Sequence, residues 1–389
     1  MKFQVAKRDL EDALKVVTPS LSSNGSDLST HYLFRLTSSK DDGGEKGVEM
    51  LTYSGRVFSS SPLKAKVLDE GEGSFSIEGK RLKKFLGFVE DAALDFSFED
   101  AIVTVKCPKG TQKFQSLDPS QFPFWDKQVV DAKETATLPA GRLLAALDYA
   151  RNFVSDNESN DPQFCVAEAR GGILYSSDRR AIILIKVAGL ENAGIRIHGK
   201  SMGGFLSFLG TFPEGADVEI LEHDRSILMR RGDGALFGEA LFLARFPDLP
   251  NLKMDEVDDH VWTVNRDVLL KTIGFLVSGA AWEENRILVQ PGDDVITLSM
   301  PNETGDKTEL KVDALMEEQK GTHPVPLDGF NLDHKCLCQI LRARHDLDDV
   351  RIGINQMEVG EVKKVLRGYS RFVDERDGDK YLTIHAWLT

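Results

Sequence analysis

The feature that most constrains this chain is that it writes one structural phrase three times. Three segments open with a short strand-like run and continue as an amphipathic helix: "MKFQVAKRDLEDALKVVTP", "TATLPAGRLLAALDYARNFVS" and "HVWTVNRDVLLKTIGFLVSG". Their apolar residues fall at i, i+4 and i+7: Leu10, Leu14 and Val17; Leu143, Leu147 and Ala150; Leu269, Ile273 and Leu276. That spacing puts a single stripe on one helix face. A second phrase recurs between the first ones: "GSFSIEGKRLKKFLGFVEDA", "AGIRIHGKSMGGFLSFLGTF" and "HPVPLDGFNLDHKCLCQILRAR". Its stripes are Leu82, Phe85, Leu86 and Val89; Met202, Phe205, Leu206 and Leu209; and Leu337, Ile340 and Leu341. Self-similarity on this scale means tandem copies of one unit.

The stretches between helices read as antiparallel strands. "DFSFEDAIVTVKC", "DVEILEHDRSILMRR" and "DVRIGINQMEVGEVKKVL" alternate apolar and polar residues around turns. "FCVAEARGGILYSSDRRAIILIKV" and "NRILVQPGDDVITLSMP" are hairpins with glycine at the bend. The expected fold is α+β, with three tandem domains over 1–128, 129–256 and 257–389. A chain of 389 residues is too long for one core and fits that division. Two related phrases, "QFPFWD" and "RFPDLP", carry proline and charge and read as the linkers after the first and second copies, with Trp125 packing at its joint. The third copy needs no linker, because the sequence stops at "KYLTIHAWLT".

Several classes of function are disfavoured. There is no G-x-x-x-x-G-K-[ST], H-E-x-x-H or G-x-S-x-G motif, and the eight histidines are dispersed. "DERDGDK" lacks the spaced ligands of an EF-hand. Cys107, Cys165, Cys336 and Cys338 are too few and scattered for a disulfide framework or a zinc site, which fits a reducing, cytoplasmic setting. No catalytic residue, metal or cofactor is expected. No run of about 18 apolar residues occurs, and the start lacks a signal-peptide pattern, so no membrane partner is expected. The net charge of −14 argues against nucleic acid for the chain as a whole, but local distribution decides that question.

The order of elements, three consecutive strand–helix and hairpin units, resembles the bacterial-type DNA sliding clamp, the β subunit of the replicative DNA polymerase. The resemblance covers essentially the whole chain. "ARFPDLP" is similar to the family's "GRFPDY", "SSDRRAI" stands where the family writes "TDGHRLA", and "MPNETGDKTELKV" resembles its third-domain hairpin. "SSDRRAI" lacks the family's Gly-His, the tail "HAWLT" differs from the family's end, and "SSNGSDLST" lacks an arginine often found there. These departures suit a divergent member, such as one encoded by a phage or plasmid.

The resemblance implies a head-to-tail homodimer closed into a ring, with sheets outside and two helices per domain facing a hole that holds double-stranded DNA. It implies locally basic helices in an acidic chain. The cations on those helices are Lys7, Arg8 and Lys15; Lys80, Arg81, Lys83 and Lys84; Arg142, Arg151 and Lys200; Arg266 and Lys271; and Lys335 and Arg342, with Arg344 beside them. Acids gather instead in "LDEGEG", "KMDEVDDH", "RHDLDD" and "DERDGD". Contacts of this kind attract phosphate without reading bases. The resemblance further implies a groove for short peptides of the polymerase and clamp loader, lined by Ser177, Arg179, Arg180, Phe246, Pro247, Leu249, Leu252, Ile384, Trp387 and Leu388. It places the dimer contact near Phe114, Leu276 and Val277, by pairing of edge strands. A β-rich tandem-repeat assembly protein and a carboxylate-metal nuclease are the alternative readings.

Overall fold

The computed structural model describes residues 1–25, 27–38, 46–68, 73–223, 226–249, 254, 258–280, 284–317, 329–357, 367–376 and 378–386. Seven α-helices are present among them: α1 (Lys7–Val17), α2 (Gly79–Phe88), α3 (Asp126–Val130), α4 (Ala140–Arg151), α5 (Gly199–Leu209), α6 (Arg266–Ser278) and α7 (His334–Arg342). No helix among the described residues is long and apolar enough to cross a membrane. Apart from the short α3, each helix follows directly on a strand, and the sequence order strand, helix, three strands, a further strand, helix, three strands runs through the chain three times, with a short extra strand, Ala65–Val67, in the first copy. The fold is α+β in three tandem copies.

Local chemistry accounts for the helix starts. Asn265 caps α6 by accepting from Val268 N–H, and Asp333 caps α7 by accepting from Cys336 N–H at 2.8 Å. Each cap satisfies a donor that the first turn leaves free. Strand Lys2–Ala6 buries Phe3 and Val5 and exposes its alternate residues, as a two-sided strand must. In the first copy the Phe3 ring stacks on Phe96 at 4.8 Å and Phe34 on Phe75 at 4.9 Å, filling the space between two sheets with aromatic area.

The chain forms two compact units, Met1–Ala145 with Asn192–Leu243, and Ala146–Glu191 with Ala244–Thr389. In the first, a five-stranded sheet runs Ala65–Val67, Lys2–Ala6, Ala93–Glu99, Ile102–Cys107, Gly110–Gln115. An eight-stranded sheet runs Lys133–Pro139, Asp217–His223, Ser226–Arg231, Leu236–Ala240, Val57–Leu63, Lys46–Ser54, His31–Ser38, Ser74–Glu78. In the second unit the strands follow the order Val166–Arg170, Ile173–Ser177, Ala181–Lys186, Asp379–Ala386, Arg367–Arg376, Asp349–Met357, His260–Asn265, Lys307–Met316, Val295–Pro301, Arg286–Pro291, Phe330–Asp333.

Two joints between copies are strand pairings, and they are alike. At the first, Val57–Ser60 of the first copy pairs antiparallel with Leu236–Glu239 of the second. At the second, Ala181–Lys186 of the second copy pairs antiparallel with Lys380–His385 of the third. Sheets therefore run without a break from copy to copy. This is why compactness divides the chain in two although its sequence repeats three times.

Glu239 is fully buried at the first joint. Burial pushes its carboxyl up to about 7 from 4.5, although Ser201 Oγ donates to it at 2.7 Å, His198 N–H at 3.1 Å, and Arg56 stands 3.8 Å away. A folded-state value above the unfolded one means that the fold prefers the protonated acid. That contribution is full below pH 4.5 and is lost as pH rises through about 7. Relative to Glu239→Gln, the wild type is expected to lose up to roughly 3 kcal/mol across this window, since each tenfold gain in proton affinity on folding is worth about 1.4 kcal/mol. Urea titrations of both proteins at the two ends of the window measure the difference; parallel curves would contradict it.

Candidate functional site

The cations singled out on the helices fall into different environments. On α2, Leu82 and Leu86 face the core, and Lys80, Arg81, Lys83 and Lys84 are all exposed. Arg81 reaches Glu78 at 2.8 Å, and partial burial lowers the Lys83 ammonium from its ordinary value. Helix α2 itself contains no acid, so its outer face is strongly positive. On α7, Lys335 and Arg342 are exposed, whereas Arg344, just beyond the helix, is 1% exposed and serves as a structural residue.

The other helices are close to neutral outside. Lys7 donates to the Val89 carbonyl at 2.8 Å and faces Glu11 at 3.3 Å, so it ties α1 to the end of α2. Lys15 pairs with Asp12 at 2.7 Å, leaving Arg8 exposed among acids. On α4, Arg151 pairs with Asp148 at 3.1 Å and Arg142 is half-buried. On α5, Lys200 is exposed at the start of a face that continues as Gly203, Ser207 and Gly210. On α6, Arg266 pairs with Asp267 at 2.6 Å and Lys271 is exposed, but the same helix also exposes Val268 and Phe275.

The hairpin turn after Ile173–Ser177 gathers the polar residues read as a peptide site. The Ser177 hydroxyl donates to the Ala181 carbonyl at 2.8 Å and accepts from Arg179 N–H at 3.0 Å. Asp178 accepts from the backbone of Arg180 and Ala181 and from the Arg180 guanidinium at 2.7 and 3.0 Å. Arg180 also donates to Gln339 of α7 at 3.1 Å. Arg179 has φ +74°, a conformation that favours glycine, and its guanidinium pairs with Asp161 at 3.0 Å. The family pattern has its glycine in this turn, and the Asp161 pair and the Ser177 hydrogen bond hold the arginine here instead.

Beside this turn lies an apolar sheet face. Leu184, Leu382, Ile384 and Met254 are buried, and Ile173, Tyr175, Ile182, Tyr369 and Val373 are half-buried against them. Of these, sequence reasoning found only Ile384; the alternation in "ILYSSDRRAIILIK" is the signal that could have found Tyr175 and Ile182. Phe246 is buried beside Tyr175 and Phe164, each ring 5.8 Å away, with Pro247 and Leu249 half-buried next to it in the chain. Leu252, Trp387 and Leu388 lie outside the described residues.

The residues read as a dimer contact are placed differently from the expectation. Phe114 is 4% exposed and covered by the Phe85 ring at 5.9 Å. Leu276 is 1% exposed and Val277 is 37% exposed, and both belong to α6. A helix uses its backbone hydrogen bonds internally, so this segment offers no edge on which another strand can pair. Strand Gly110–Gln115, by contrast, ends its sheet, pairing only with Ile102–Cys107 among the described residues. Lys307–Asp313 pairs with Val295–Pro301 on one side and with no other strand among the described residues.

No protein-family model matches the sequence, and no curated protein matches it. Solved structures match over the whole chain. The DNA polymerase III subunit beta from Pseudomonas aeruginosa aligns with a TM-score of 0.79 at 13% identity, covering 100% of both chains. The DNA polymerase III beta subunit from Thermotoga maritima gives 0.77 at 14% identity, covering 100% of this chain and 99% of its own. The DNA polymerase sliding clamp from Bacillus subtilis gives 0.77 at 16% identity with the same coverage. With these alignments beside the threefold order of elements and the two like joints, the chain has the fold of the DNA polymerase III beta sliding clamps.

Proposed function

We propose that this chain is a DNA sliding clamp: a non-catalytic processivity factor that encircles duplex DNA as a head-to-tail homodimer and tethers a replicative polymerase. Its domains are 1–128, 129–256 and 257–389. The observation that carries this reading is the unfinished third joint. Two copies are joined to their neighbours by the same strand pairing, and one strand of each kind is left over, Gly110–Gln115 at one end and Lys307–Asp313 at the other. Pairing these between two copies repeats the joint already used twice. Because the two edges differ, the contact is heterologous and closes only as a ring.

The helices support the same closure. At the first joint α1 packs on α5, and at the second Tyr149 and Asn152, on and just after α4, meet Arg344 and Gln339 at α7. Among the described residues, α2 and α6 have no such partner across a joint, and these two expose phenylalanines, Phe88 at 74% and Phe275 at 63%. The dimer contact thus pairs α2 of one copy with α6 of the next, beside the strand edges, with Val277 at its rim. DNA is held without base readout, chiefly by Lys80, Arg81, Lys83 and Lys84, with Lys335, Arg342, Arg8, Lys200 and Lys271 adding smaller contributions. The face of Tyr175, Ile182, Val373 and Ile384, with Arg179, Arg180, Pro247 and Leu249 around it, receives partner peptides of the polymerase and the clamp loader. The setting is the cytoplasm.

Loading the protein on nicked circular DNA with a clamp loader, then linearising half the sample, tests this directly. Retention on circles and loss from linear ends is expected, and equal retention on both would refute encirclement.

A further inference from the structure

The two Phe-Pro linkers are latched alike. Arg35 on His31–Ser38 binds Asp126 with both nitrogens, at 2.7 and 2.8 Å. Arg170, on the equivalent strand of the second copy, binds Asp248 and donates to the Pro247 carbonyl at 3.0 Å. Beyond the latch the linkers part. The first lays Trp125 on Phe58 at 4.6 Å and Phe122 on Tyr53 at 5.1 Å, and α3 adds Val129. It thereby seals an apolar face of Leu51, Phe58, Leu228 and Leu236 at the first joint. At the second joint Met254 of the linker packs on the equivalent face, where Tyr175, Ile182 and Val373 stay half-buried.

We propose that the first joint is a second peptide-binding groove, occupied by the chain's own linker, and that a partner peptide with two aromatic side chains three residues apart followed by a carboxylate can replace it. Side chains hold the linker to this face. Its backbone hydrogen bonds, Phe122 N–H to the Pro119 carbonyl and Val129 N–H to the Trp125 carbonyl, close within the segment. Helix α3 has five residues, far below the length that is stable by itself. Asp126 is more than half exposed, so the latch sits at the rim where water can compete for it. Tethering gives the linker an effective concentration in the millimolar range, which suppresses exchange in the wild type.

A fluorescent peptide with the sequence of residues 118–131 is the probe, read by anisotropy against wild type, Asp126→Asn and the double variant Phe122→Ala, Trp125→Ala. Both variants are expected to bind it at least about ten times more tightly than wild type, because only they weaken the competing linker. A photo-crosslinker replacing Phe124 of the peptide is expected to label Val57–Leu63 or Leu236–Ala240. Equal binding by all three proteins, no binding by folded variants, or labelling of Ala181–Lys186 would overturn the proposal. Should the double variant fail to fold, Asp126→Asn keeps both rings and carries the test. Helix α2 is untouched by these changes, so retention on circular DNA reports separately on the clamp reading.

Discussion

Replacing Arg344 by alanine is expected to destabilise the second unit by about 3 kcal/mol, the cost typical of leaving one member of a buried ion pair without its partner. The arginine is 1% exposed and uses its guanidinium fully: Nε meets Asp374 at 3.0 Å, one terminal nitrogen donates to the Tyr149 hydroxyl, and the other donates to the Phe372 carbonyl at 3.0 Å and to Thr383 at 3.1 Å. Tyr149 belongs to the second copy and Thr383 to a joint strand of the third, so one side chain fastens two copies together. Tyr149 is also fully desolvated, which raises its phenol and keeps it neutral as an acceptor for the arginine. Removing the guanidinium leaves a nearly buried Asp374 with Arg376, at 2.7 Å, as its one cation among the described residues, and leaves a buried carbonyl and hydroxyls short of donors. The double change Arg344→Met with Asp374→Leu should recover much of the loss, because it removes both charges and fills the space with apolar atoms. Urea unfolding followed by circular dichroism measures both; a loss below about 1 kcal/mol for the single variant would show that water reaches the site.

Such a role could not be read from the sequence. "HKCLCQILRAR" presents Lys335, Arg342 and Arg344 as one basic group, and helical periodicity identified the inner stripe correctly as Leu337, Ile340 and Leu341. What periodicity cannot give is the chain arriving from far away in sequence, here Tyr149 and Asp374, that turns an outward cation into a buried one. Lys7 shows the same limit, since its acceptor is the Val89 carbonyl. The helices and hairpins were legible because their signals are local: stripes at i, i+4 and i+7, strand alternation and glycine turns. The joints were not, because strand pairing between copies depends on register over a hundred residues or more of chain, and no local pattern encodes it. Phe275 and Phe88 are a different case. Both lie off the stripes read from the sequence, and on the proposed reading their exposure marks the faces left for the third joint. The paired Phe-Pro phrases were legible as linkers, whereas the arginine latches beneath them were not.

Neutralising Lys80, Arg81, Lys83 and Lys84 together as glutamines is expected to lower affinity for duplex DNA by about a thousandfold at low salt and to abolish retention on circles at moderate salt. The chain carries a net −14, so its long-range field repels DNA, and attraction must come from a local concentration of cations. Helix α2 is where that concentration occurs: four exposed cations and no acid within the helix, against cations mixed with acids on α1, α4 and α6. Each phosphate contact contributes about 0.9 to the slope of log K against log salt, so losing four in each of two protomers should flatten the ring's slope by up to about 7. Substituting Arg8, Lys200 and Lys271 instead should change it by less, because these charges are spread over three different helices. The two sets of variants separate a focused contact from a diffuse one. If both flattened the slope equally, DNA would be held by the whole set of helices, and the charge on α2 would serve another purpose. The affected residues are exposed and their helix keeps Leu82 and Leu86 inward, so thermal stability should stay within about 0.5 kcal/mol of wild type. Loss of DNA retention with an unchanged melting curve would therefore assign the defect to phosphate attraction, since the folded chain and its apolar contacts remain intact.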